Sequence, residues 1–151
     1  MKKRWNIAAY ILCVALGIAV IVTGTQLSRS ENKRIFLQTN IDRIFQSSFS
    51  QFCNNLNIAL PEDAESRQEY DEQNLKYAFL CTTIQSSTSY SENAELNNIV
   101  LAMENLCETG ELYRKISPDL AQKLKRLSYY ISDQELSKSV YDEFVKAELC
   151  K

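Results

Sequence analysis

The sequence predicts an all-α protein, an N-terminal transmembrane helix followed by an antiparallel helical bundle of four to five helices. Three observations predict it. Residues 7–22 form an unbroken apolar run, with Lys2, Lys3 and Arg4 just before it. Beyond residue 28, apolar residues recur at helical spacing through most of the chain. Strand signals, which would be alternating runs bounded by Gly-rich turns, are poor.

The span comes first. Residues 5–28 carry no charge. As a helix they rise about 36 Å at about 1.5 Å per residue, against the roughly 30 Å of a bilayer's hydrocarbon core. No acidic residue accompanies the leading cations, so the positive-inside rule puts the N-terminus in the cytoplasm. Trp5 fits the interfacial belt on that side. The expected organisation is a short cytoplasmic N-terminus over residues 1–5, a signal-anchor helix over 6–28 and an extracytoplasmic domain over 29–151. The alternative is a signal peptide cleaved at Val22-Thr23-Gly24, which would release a secreted domain. The apolar stretch is long for that, since signal cores run about 7–15 residues. Cys13 follows Leu12 rather than a small residue, which argues against a lipid anchor. Ala9, Cys13 and Gly17 form a small-residue stripe of the kind that lets helices approach closely, but ordinary lipid-facing composition is the preferred explanation.

The first helix beyond the span is expected over residues 31–58, with Leu37, Ile41, Ile44, Phe45, Phe49, Phe52, Cys53 and Leu56 mostly on one face. No proline separates it from the span, so the two are expected to be nearly continuous, with Gly24 and residues 28–32 the weakest points. Pro61, followed by Glu62, Asp63 and Glu65, marks the start of a second helix, because acidic residues complement the dipole there. That helix should run to about Ser86, with Tyr70, Tyr77, Ala78, Cys81 and Ile84 inward. Ser89 with Glu92 reads as a capping box for a third helix. Leu96, Ile99, Val100, Met103, Leu106 and Cys107 should line its inner face, and Gly110 is placed to end it. A short turn over residues 111–116 leads to Ser117-Pro118, a cap followed by proline at the first helical position. Leu120, Leu124, Leu127 and Ile131 define the fourth helix. Ser132 with Glu135 reads as a second capping box, before a last helix carrying Leu136, Val140, Phe144, Val145 and Leu149. In architecture the whole resembles membrane-anchored helical sensor domains, and architecture does not carry function.

Composition excludes several activities. Net charge is −2, and without Lys2, Lys3 and Arg4 the remainder stands at −5, which argues against a nucleic-acid partner. Beyond the span Gly110 is the only glycine, so phosphate-cradling loops fail. Histidine is absent, which removes Ser-His and Cys-His catalysis and the commonest transition-metal ligand. No cofactor, metal or catalytic residue is nominated. The acidic run Glu62, Asp63, Glu65, Glu69, Asp71 and Glu72 lacks the glycine and spacing of a calcium loop and reads as a solvated helix start. Lys123, Lys125 and Arg126 form a basic cluster that reads as a solvated face, with pairing to the acidic run or to an acidic partner as the alternative. Tyr70, Tyr77, Tyr113, Tyr129 and Tyr130 are candidate pocket residues, although aromatics at helical spacing are more often core.

Cys53, Cys81, Cys107 and Cys150 form no CxxC pairs. In an up-down bundle Cys81 falls at the membrane-proximal end and the other three fall at the distal end. A disulfide needs Cα atoms within about 7 Å. At most one bond is then expected, with Cys107 and Cys150 the favoured pair and Cys53 the substitute. The reading preferred over a disulfide makes all four small core residues. The expected function is a non-enzymatic interaction or scaffold module of the cell envelope, with the membrane and another envelope protein as partners. The alternative is a ligand-sensing accessory domain with a pocket between helices, and an exported enzyme comes third.

Overall fold

In the computed structural model, backbone is described for residues 2–57 and 63–149, and side chains for residues 23, 26, 28–57, 63 and 65–149. Every regular element among them is helical. The chain forms two compact units, residues 1–37 and 38–151.

Helix α1, Lys2–Asn55, belongs to both units and passes without interruption through residues 28–32. In the first unit Phe36 and Leu37 are exposed. Leu37 was expected inward, but it lies just before Gln38, whose amide donates to the Ser87 carbonyl at 3.0 Å. Among the described residues, no helix is long and apolar enough to cross a membrane. The apolar run of residues 7–22, on which the transmembrane expectation rests, lies outside the described side chains.

The second unit is the helical bundle. It contains the rest of α1, then α2 (Ala64–Ile84), α3 (Ala94–Glu108), the single turn α4 (Leu112–Lys115), α5 (Pro118–Tyr129) and α6 (Gln134–Lys146). Its core begins with Phe45, Phe49 and Phe52, spaced to share one face of α1 and all buried. The rings of Phe45 and Phe49 stack at 6.1 Å. Burying a side chain of this size stabilises the fold by roughly 1.5–3 kcal/mol. Leu96, Ile99, Val100 and Met103 from α3, Leu124 and Leu127 from α5, and Val140 and Phe144 from α6 complete the core. Ile44 and Val145, both expected inside, are 46% and 49% exposed. Ile44 directly adjoins the inward Phe45 on α1, and Val145 adjoins the inward Phe144 on α6. Each therefore turns about 100° away from its neighbour around the helix.

The helix starts follow side-chain chemistry, with three corrections. Asp63 caps α2 by accepting the Ser66 N–H at 2.8 Å, so the helix begins beyond Pro61. Asn93 caps α3 by accepting the Leu96 N–H at 3.0 Å, whereas the Ser89 N–H goes to Asp42. Asp133 caps α6 by accepting the Leu136 N–H at 2.9 Å, in place of Ser132. Ser117-Pro118 starts α5 as expected.

Tertiary hydrogen bonds fix the helix directions. Asn55 near the end of α1 meets Asn74 of α2, whereas Cys81, later on α2, reaches back to Phe45. The loop before α3 meets α1 at Gln38 and Asp42. Asn57 donates to the carbonyl of Ala121, at the start of α5. Asn93 before α3 donates to Ser137 at the start of α6. The bundle is therefore up-and-down: α1, α3 and α6 run one way, and α2 and α5 return.

Candidate functional site

Two of the five candidate tyrosines meet. Tyr70 of α2 and Tyr113 of α4 stack with ring centroids 6.3 Å apart. The Tyr70 hydroxyl donates to the Asn55 carbonyl at 2.6 Å. Buried Asn74 accepts from the Asn55 amide at 2.8 Å, and its own amide donates to the Tyr113 hydroxyl. This chain of bonds ties α1, α2 and α4 together. Buried polar groups stay buried at low cost only when they are paired, and these are. The cavity beside them, lined by Asp71, Asn74, Cys107 and Tyr113, holds about 50 Å³, room for a water molecule or two. Tyr129 and Tyr130 are exposed at the end of α5, far along the chain from this cluster, and Tyr77 packs against the core.

Electrostatics keeps the cluster neutral. Burial raises the Tyr113 hydroxyl, and Tyr70 and Asp71 add to the effect. Burial pushes the Cys107 thiol up to about 12, helped by Asp71, Glu104 and Glu108. It pushes Cys81 up to about 12 as well, and Cys53 well above the ordinary thiol range. A nucleophilic thiol needs the opposite environment. Cys53, Cys81 and Cys107 are free thiols. Cys150, the partner expected for Cys107, lies outside the described residues.

The charged clusters separate. Lys123 pairs with Asp119 at 2.9 Å and with Glu143, and both bonds lie within the α5–α6 hairpin, so the basic cluster does not answer the acidic run through this residue. Asp63, Glu65, Glu69, Asp71 and Glu72 are exposed along α2, whereas Glu62 lies outside the described residues. Among the described residues, no group of three or more His, Cys, Asp or Glu side chains is placed to hold a metal ion.

Two further clefts lie on the outside of the bundle. Asn98, Leu101 and Asn105 of α3 face Tyr141 and Val145 of α6 across a cleft of about 360 Å³ that also touches Leu149. A second cleft, about 310 Å³, is lined by Asn105, Thr109, Glu111, Lys115, Glu148 and Leu149. Asn105 and Leu149 border both, so the two clefts adjoin and together make up the furrow of the α3–α6 face. Leu101 and Val145 are 41% and 49% exposed beside it. The sequence signal for this furrow is weak, because Val145 sits one position from the core residue Phe144 and Leu101 one position from Ala102. No protein-family model, curated protein or solved structure matches the chain.

Proposed function

We propose that this chain is a single-pass, membrane-anchored extracytoplasmic protein that acts as a non-enzymatic interaction or scaffold module of the cell envelope. The address rests on the sequence, on the cations Lys2, Lys3 and Arg4 before the apolar run of residues 7–22. The observation that supports the interaction role is the contrast between inside and outside. The polar groups gathered inside are bonded to one another around a cavity of about 50 Å³, whereas the furrow on the α3–α6 face carries exposed Leu101 and Val145. Exposed apolar surface beside a concavity suits a protein partner. The thiols held protonated by burial give no support to nucleophilic chemistry.

Crosslinking of the full chain in native membranes, followed by mass spectrometry, tests the proposal. A discrete envelope protein, crosslinked reproducibly to residues of the bundle, is the expected result. Recovery of the chain only as an uncrosslinked species would contradict it. The ligand-sensing alternative draws on the stacked Tyr70–Tyr113 pair. It asks that pair to open well beyond the present cavity, since small-molecule pockets run about 300–1,000 Å³.

A further inference from the structure

We infer that the α3–α6 furrow docks an amphipathic helix of the partner, with a lysine or arginine of that helix set against Glu148. The inference rests on the interaction-module reading and specifies the chemistry of its partner. Along α3 the furrow runs from Asn98 to Thr109. That is about 16 Å at about 1.5 Å per residue, enough for a helix with apolar anchors at i, i+4 and i+7. Leu101, Tyr141, Val145 and Leu149 offer the anchors an apolar bed, and Asn98 and Asn105 edge it with amides.

Charge selects the occupant. Among the described residues, three charged ones line the furrow: Glu111, Lys115 and Glu148. Lys115 holds Glu111 at 2.7 Å and Arg114 holds it from the other side. Glu111 is thus doubly paired, and among the described residues Glu148 is the furrow carboxylate left without a cation, so the matching ligand is an apolar helix face bearing a single cation.

Backbone conformation sets Glu148 apart independently. Its φ is +56°, in the left-handed region. The Leu149 N–H bonds to the Phe144 carbonyl at 2.9 Å and the Glu148 N–H to that of Val145 at 3.1 Å. This is a Schellman cap, whose left-handed position glycine fills without strain. The same cap closes α3, with Glu111 bonded to Leu106 and Gly110 to Cys107, and there the left-handed residue is glycine, at φ +68°. At the end of α6 the position carries a carboxylate in spite of the backbone cost, and that carboxylate lines the furrow.

The test is a titration of methyl-labelled full chain in zwitterionic micelles. The probe is a synthetic helix with leucines at i, i+4 and i+7 and one lysine a turn further on. Its twin carries glutamate in place of the lysine, and empty micelles give the background. The lysine peptide should shift the methyl signals of Leu101 and Val145 saturably. The twin should bind about fivefold more weakly, and so should the lysine peptide to Glu148→Gln. Leu101→Asp should weaken binding by about tenfold or more. Glu148→Gly should lose the same affinity as Glu148→Gln while raising the melting temperature by about 1–4 °C, which separates the charge from the fold. Equal affinity for the two peptides, indifference to Glu148→Gln, or shifts confined to other methyl groups would overturn the inference. Partner capture in native membranes that survives Leu101→Asp and Glu148→Gln would overturn the furrow and leave the module reading standing. Absence of any captured partner would count against the module itself.

Discussion

Asp42 shows how one side chain can pin a loop. Its carboxylate accepts the Ser89 backbone N–H at 2.8 Å and the Gln38 amide at 3.0 Å, and the same amide holds the Ser87 carbonyl. Partial burial pushes its pKa up, but the bonds from Ser89 and Gln38 together outweigh that and leave it below the ordinary 3.8. A carboxyl lowered in the folded state binds its proton more readily when the chain unfolds. Its stabilisation is therefore complete above the unfolded value and is lost as pH falls through the folded one. The native chain should lose stability on acidification below about pH 4, in part through this residue, and Asp42→Ala should show a shallower fall over the same range. Denaturant melts of both proteins between about pH 6 and pH 3 check this, and identical slopes would mean that the pin carries no charge-dependent energy. The companion residue Ser89 illustrates what sequence reading misses. Its spacing from Glu92 suggested a cap, but its N–H is bonded to an aspartate 47 positions earlier, and spacing carries no trace of that contact.

The helix caps decide where each helix begins. Ser132 and Asp133 are adjacent, and both residue types cap well. Asp133 takes the role, with φ −79° and ψ 103° placing its carboxylate over the Leu136 N–H. A carboxylate adds attraction to the positive end of the helix dipole, which a serine hydroxyl does not. Asp133→Ala should therefore cost about 1 kcal/mol, and Ser132→Ala only a few tenths. Chemical denaturation of the two variants measures the difference, and the reverse order would restore the capping box at Ser132. Most helix-level information was legible. The Ser117-Pro118 start, the Gly110 stop and the inward stripes of α3 and α5 follow from local chemistry and periodicity, and the structure has them. Leu37, Ile44 and Val145 were misplaced because periodicity defines an apolar stripe without saying how much of it a neighbouring helix covers.

Taken as a unit, the bundle closes around its aromatic and aliphatic core and carries the α3–α6 furrow on its outside. Helix directions were readable from short connections, which favour antiparallel neighbours. The furrow was not, because it exists only where α3 and α6 lie side by side, far apart in sequence. The Tyr70–Tyr113 stack was half legible: the residues were candidates, but nothing local says that α4 returns to α2. The proposed function needs an address that brings the bundle to an envelope partner, with residues 6–28 as the proposed tether. A reporter that is active only outside the cytoplasm, fused after Lys151 and combined with peptide mapping of the mature N-terminus, tests that address most directly. The account predicts an active reporter in the membrane fraction and an intact N-terminal peptide. A silent reporter, or a soluble protein starting near Thr25, would contradict it.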